Sequence, residues 1–191
     1  MDLIETELPG VLVVIPRRFG DARGWFAETW NAQTLAHHGL RYAFVQDNES
    51  YSAEAGTLRG LHYQAPPHAQ TKLVRCVAGR ILDVAVDARR GSPTFGAWTA
   101  RELTADGGEQ LLVPAGFLHG FLTLEPGCRV AYKCSAHYAP LADGAVRWNT
   151  VGIDWRLDAL PVPGAPVLSA KDAEAPPFEI WQSPFVWGAA P

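Results

Sequence analysis

The chain has 191 residues, 48% of them hydrophobic and 19% charged, with a formal net charge of −4. That length can bury a sizeable core, and the scattered Lys and Arg, with no basic run, argue against a nucleic-acid backbone or an anionic membrane as partner. No stretch approaches the roughly 20 apolar residues that a membrane span requires. Small molecules or a second copy of the chain are the expected partners. Cys76, Cys128 and Cys134 are odd in number and lack the spacing of a disulfide framework or a metal site. The N-terminus has no basic segment leading into a long apolar run, so a reducing cytoplasm is the expected compartment.

In chain order, a first strand is predicted over 11–15, followed by a helix over 31–38 that Asn31 can cap and Gly39 can end. Short strands then recur between Gly, Pro and Asp at 44–46, 57–64, 72–77, 80–86, 110–113, 120–124 and 129–135. Many short strands with few helices predict an all-β sandwich or closed barrel with a few short helices. In the strand over 80–86, Leu82, Val84 and Val86 alternate with Ile81, Asp83 and Ala85, which turns Asp83 away from the main core. Residues 1–191 are expected to form a single domain, its core spanning about 10–160 and a wrapping tail about 161–191. Pro161, Pro163, Pro166, Pro176 and Pro177 keep the tail out of central strands, while Phe178, Trp181, Phe185 and Trp187 need a surface to pack on.

The chemistry concentrates in Arg59-Gly60-Leu61-His62-Tyr63-Gln64 with Lys72 nearby. Gly56, His62 and the run from Pro114 to His119 resemble parts of a cupin metal signature, but Gln64 stands where a second histidine is usual and no glutamate follows before Lys72. A site of His62, Gln64 and His119 would hold a divalent metal weakly, so none is expected. A lone strand histidine is more often structural; it becomes a base when a partner fixes its tautomer, and Asp83, Asp87 and Asp172 could each be that partner. Lys72, one of only three lysines, reads either as a solvated charge or as a group that stabilises an oxyanion beside His62. Tyr132 shares a strand face with Val130 and Cys134 and is either half-buried packing or a proton donor acting opposite His62. An unbroken strand turns Arg59 away from His62, unless Gly60 marks a bulge or Arg59 reaches round by length and twist.

Larger blocks then carry a resemblance: Phe19-Gly20-Asp21-Ala22-Arg23-Gly24, Gln46-Asp47-Asn48, the run from Gly56 to Gln64, Lys72-Leu73-Val74-Arg75, Asp83-Val84-Ala85-Val86-Asp87, Ser92-Pro93-Thr94-Phe95-Gly96, the run from Pro114 to Phe121, Tyr132-Lys133, Trp148-Asn149 and Leu168-Ser169-Ala170-Lys171-Asp172. In this order, from about residue 10 to 175, the chain resembles the dTDP-4-dehydrorhamnose 3,5-epimerase family. The resemblance implies a cofactor-free cupin jelly roll, a homodimer, that epimerises dTDP-4-dehydro-6-deoxy-D-glucose at C3 and C5 to dTDP-4-dehydro-L-rhamnose on the way to dTDP-L-rhamnose. By the same resemblance His62 is the base, Asp172 orients it, Tyr132 is the acid and Lys72 stabilises the enolate. His119 and Arg59 would contact the sugar or its diphosphate. Arg23, Glu28, Gln46, Asp47, Asn48 and Lys171 would contact the nucleotide sugar, and Tyr138 would stack on thymine. Asp143 departs from the family pattern, being one methylene shorter than the glutamate common there.

The resemblance leaves neighbouring readings open. A 3- or 5-epimerase of another dTDP-4-keto-6-deoxyhexose would carry the same motifs. More distant readings are a metal-dependent cupin oxygenase and a non-catalytic sugar-nucleotide binder.

Overall fold

A computed structural model describes residues 1–189. The chain opens with β1 (Asp2–Glu5) and β2 (Leu12–Ile15), then a ribbon of β3 (Arg18–Asp21) and β4 (Gly24–Ala27). Helix α1 (Ala32–His37) follows, its start capped by the Asn31 side chain, which accepts from the Gln33 and Thr34 N–H groups as its position in the sequence predicts. Next come β5 (Gln46–Ser52), β6 (Leu58–Gln64), β7 (Lys72–Ala78), β8 (Arg80–Asp87) and β9 (Trp98–Thr104). The last strands are β10 (Gln110–Val113), β11 (Phe117–Thr123), β12 (Cys128–Cys134) and β13 (Asp143–Ala145), with a one-turn helix α2 (Ala170–Ala173) in the tail.

Two antiparallel sheets face each other. One has the order β1-β2-β10-β7-β12-β5 and the other β13-β6-β11-β8-β9, while β3 and β4 pair only with one another. Apart from β1–β2 and β8–β9, neighbouring strands in the two sheets are distant in sequence, as in a jelly roll, and the all-β cupin architecture follows from that pairing. Among the described residues no helix is long and apolar enough to cross a membrane.

Three apolar layers hold the sheets. Between them lie Val13, Val74, Ile81, Ala85, Leu103, Leu111, Phe121 and Val130, all buried. The outer face of the six-stranded sheet presents Val14, Leu73 and Leu112, covered by Trp30, Leu40, Tyr42 and Phe44 around α1. The outer face of the five-stranded sheet presents Leu58, Leu61, Leu82, Val84 and Val86, covered by Trp155, Phe178, Trp181 and Phe185 of the C-terminal segment. The tail therefore wraps the sheet as its aromatics require, with Tyr63 meeting Trp181 at a ring separation of 5.1 Å.

Several strands depart from the pattern read in the sequence. The expected strand at 44–46 begins only at Gln46 and runs on to Ser52, and the one expected at 120–124 begins three residues earlier at Phe117. Strands β1, β3, β4, β9 and β13 lack the clean apolar alternation that marks a half-buried strand and were not expected. Asp83 also corrects the reading of β8: both faces of this strand are buried, and Asp83 points between the sheets with Ile81 and Ala85. The face that lies apart from that interior is the wholly apolar one beneath the tail.

Candidate active site

One end of the space between the sheets is apolar; the other opens into a cavity of about 410 Å³ lined by polar groups from both sheets. Arg59 and His62 reach it from β6, His119 and Phe121 from β11, Lys72 from β7, Tyr132 from β12 and Ser50 from β5. The tail closes one side with Ser169, Lys171 and Asp172.

Arg59 reaches the cavity through a bulge. His119 pairs with His62 and Phe121 with Arg59, so β6 carries one residue more than β11 between those pairs. The extra residue turns Arg59 onto the same face as His62 and leaves Leu58 and Leu61 together on the outer, apolar face. Gly60 is required there. Its φ is +137°, and a Cβ at that position would lie 2.6 Å from the Gly120 Cα. The guanidinium donates to the Tyr51 carbonyl at 2.9 Å and to the Ser52 hydroxyl at 3.3 Å, and has no carboxylate partner among the described residues.

His62 is held by Asp172, with 2.5 Å between Nε2 and Oδ1. Of the three carboxylates that could have served, only this one reaches it. Asp87 is buried and taken by Arg89, Ser92 and Thr94, and Asp83 pairs with His119 at 2.8 Å. Burial pushes the Asp172 carboxyl up, but the hydrogen bond and charge of His62, with contacts from Ser169 and the Gly60 N–H, outweigh it and hold the group below its ordinary range. With Nε2 donating to Asp172, Nδ1 of His62 is the free ring nitrogen.

Across the cavity Tyr132 projects from the opposite sheet, on the inward face with Val130 and Cys134. Burial raises its phenol pKa, as do Cys134 and Asp143, while Arg59 pulls it down. Lys72 stands 5.9 Å from the Tyr132 ring centroid. Desolvation lowers the pKa of its ammonium, opposed by Cys134, Asp143 and Asp83. An imidazole, a phenol on the other side and an ammonium thus face one volume, an arrangement suited to proton transfer at a carbon beside a carbonyl.

The remaining expected site residues divide into two groups. Lys171 lines the cavity and donates to Asp143, which also accepts from the Tyr138 hydroxyl at 3.4 Å; Tyr138 in turn donates its backbone N–H to Gln46. Gln46 bonds Asn48 at 3.0 Å, so these five residues form a continuous polar rim leading out of the cavity. Asp47 points the other way on β5 and pairs with Lys133 at 2.7 Å. Arg23 and Glu28 do not line the cavity: Arg23 pairs with Asp21 at the exposed tip of the β3–β4 ribbon, and Glu28 accepts from Asn31. Gln64, weighed above as a weak metal ligand, donates to the His68 and His137 carbonyls and accepts from the Ala139 N–H. Its amide holds a turn.

One pairing and one residue escaped the sequence reading, which weighed Asp83 only as a partner of His62. Asp83 belongs to His119, a pairing set by the register in which Asp83 lies opposite Phe121, two residues along β11. Ser50 lines the cavity with a buried hydroxyl that has no partner among the described residues. Its signal was the position two before Ser52 in a strand that had not been expected so far along the chain.

The sequence and the architecture are similar to those of known proteins. The family model described as dTDP-4-dehydrorhamnose 3,5-epimerase matches residues 5–179. The chain is 46% identical over 179 residues to the dTDP-4-dehydrorhamnose 3,5-epimerase of Salmonella typhimurium, covering 92% of this chain and 94% of that one. A solved dTDP-4-dehydrorhamnose 3,5-epimerase of Bacillus anthracis, with TDP and PPi bound, superposes with a TM-score of 0.86 at 48% identity, covering 92% of this chain and 98% of the other. That of Legionella pneumophila, a dTDP-6-deoxy-D-glucose-3,5-epimerase in complex with dTDP-4-keto-L-rhamnose, gives 0.90 at 37% identity, covering 98% and 99%. A match over nearly the whole length of chain and relative leaves no segment of the site outside the likeness, and the chain belongs to the dTDP-4-dehydrorhamnose 3,5-epimerase family.

Proposed function

We propose that this protein inverts C3 and C5 of dTDP-4-dehydro-6-deoxy-D-glucose to give dTDP-4-dehydro-L-rhamnose, a step of dTDP-L-rhamnose biosynthesis. The observation that carries this reading is the facing pair: His62 on one sheet, oriented by Asp172, and Tyr132 on the other, around a single cavity. Both reacting carbons flank the C4 ketone, so loss of either proton gives an enolate. In the gluco chair the hydrogens on C3 and C5 are axial on the same face, within reach of one base. His62 Nδ1 takes the proton, Lys72 stabilises the oxyanion on C4, and Tyr132 returns a proton to the opposite face. The reaction is redox-neutral, and its chemistry calls for no electron carrier.

Arg59, lacking a carboxylate partner, suits the diphosphate, with the Ser50 hydroxyl and His119 beside it. Exposed Tyr138, anchored to Gln46, suits the thymine ring. The enzyme acts as a cytoplasmic homodimer consisting of one domain per chain. Three free, buried cysteines agree with a reducing compartment. The β3–β4 ribbon supports the dimer: it leaves Phe19, Trp25 and Phe26 exposed by 53%, 58% and 69%, an apolar surface that a second copy would cover while Arg23 enters that copy's site.

Incubation with dTDP-4-dehydro-6-deoxy-D-glucose in deuterated water, followed by NMR, tests the reaction. Label with inversion at both C3 and C5 supports it. Inversion at one carbon alone would make the protein a single-centre epimerase, and no exchange at either carbon would refute the assignment.

A further inference from the structure

Behind the wall of the catalytic cavity lies a second, much smaller one of about 10 Å³. His62, Lys72 and His119 line both, so they form the partition between them. Gly116 and Phe185 line the small cavity and also a surface groove of about 580 Å³ roofed by Trp187. The three spaces therefore lie in series, from the active site through the partition to the far surface. A volume of ~10–15 Å³, counted over the centre of a water-sized sphere, holds one water when two to four polar groups surround it. His62, Lys72 and His119 provide that number.

A double inversion by a single acid and base creates a need for such a site. After the first inversion His62 carries the proton it removed and Tyr132 has lost its own. Neither can act at the second carbon until both are reset, and the bound sugar nucleotide meanwhile fills the front cavity. We propose that the rear cavity holds one water that, with Lys72, returns the proton from His62 to Tyr132 between the two inversions. This rests on the two-centre epimerase reading above.

The steps balance. The Lys72 ammonium gives a proton to the Tyr132 phenolate; the neutral amine takes one from the water; the water takes the proton on Nδ1 of His62. One proton has moved, and Lys72 and the water end as they began. Lys72 stands on the path, 5.9 Å from the Tyr132 ring centroid and in both cavities. Its lowered pKa and the raised pKa of Tyr132 both favour the transfer from ammonium to phenolate.

Two variants reach the rear cavity and leave the proton-transfer groups themselves unsubstituted, although Val113 pairs with Lys72 across β10 and β7. Val113→Ile adds a methylene to its apolar wall, and Gln70→Leu removes a polar one. Substrate consumption and exchange in deuterated water would be followed by NMR, with singly and doubly inverted sugars measured separately. The expected result is a first exchange close to the wild-type rate, with singly inverted sugar accumulating ~10-fold or more in both variants, a fraction of the 10²–10⁴ that proton transfer contributes. An unchanged ratio of singly to doubly inverted product in both variants overturns the relay, as does a first exchange slowed as much as the second. The wild type separates the two claims. If it exchanges neither carbon, the epimerase reading falls and the relay with it; if it inverts both while the variants keep its product ratio, only the relay falls.

Discussion

At the scale of single residues, the site is a set of ionisable groups whose environments push them apart. His62→Ala removes the imidazole that Asp172 orients, and should abolish deuterium exchange at both carbons. Tyr132→Phe should leave some exchange, because the enolate still forms, while inversion falls by about 10²- to 10⁴-fold. Full inversion by this variant would remove Tyr132 as the acid. Lys72 gives a prediction of opposite sign for stability and activity. Desolvation lowers its pKa on folding, so the folded state binds fewer protons than the unfolded chain between the lowered value and 10.5, and stability rises with pH across that window. Below the window the partly desolvated cation is a net cost. Lys72→Met should therefore raise the melting temperature at neutral pH, flatten that rise with pH and eliminate turnover; a lower melting temperature would contradict it. These assignments were only partly legible from the residues. His62 and Lys72 stood out by type and spacing, but the choice of Asp172 over Asp83 and Asp87 spans 110 residues, and only the family resemblance supplied it. Asp83 could be matched to His119 only once the register of β8 and β11 was known.

At the scale of elements, the bulge in β6 decides what the site contains. One extra residue brings Arg59 onto the face of His62, and only glycine fits, since a Cβ on Gly60 would press on the Gly120 backbone. Gly60→Ala should destabilise the fold by at least ~1–3 kcal/mol from backbone conformation alone, with the close contact adding to it. Denaturant midpoints would measure this, and a variant as stable as wild type would mean that β6 carries no such constraint. Elements were legible where a cap or an apolar run marks them, as in the helix capped by Asn31 or the strands over 11–15 and 72–77, which bury apolar side chains on both faces. One strand was hidden for most of its length where its inner face lines the cavity. Strand β5 reads Gln-Asp-Asn-Glu-Ser-Tyr-Ser because one side faces the site and the other faces outward, so no hydrophobic period remains to be seen. The same chemistry that makes a wall of the site erases the pattern that announces the strand.

At the scale of the whole molecule, Arg23 and the distribution of apolar surface address the same question. Arg23 lies at the tip of a two-stranded ribbon, away from the cavity of its own chain, and the ribbon exposes Phe19, Trp25 and Phe26. If the ribbon packs on a second copy, each site is built from two chains and a mixed dimer can repair what neither parent can. Arg23→Ala and His62→Ala would each be prepared alone, then mixed, partially unfolded and refolded together. In a mixed dimer the chain bearing Arg23→Ala keeps His62 and receives Arg23 from its partner, which restores one site of the two. Random reassortment in a symmetric dimer makes half the molecules mixed, so recovery of about one quarter of wild-type turnover is expected. If Arg23 served the site of its own chain, every site in the mixture would carry one of the two lesions and turnover would stay at the level of the separate variants. That result would leave the ribbon without a role in the partner's site, and its exposed aromatic face would have to be explained by something other than exchange between subunits.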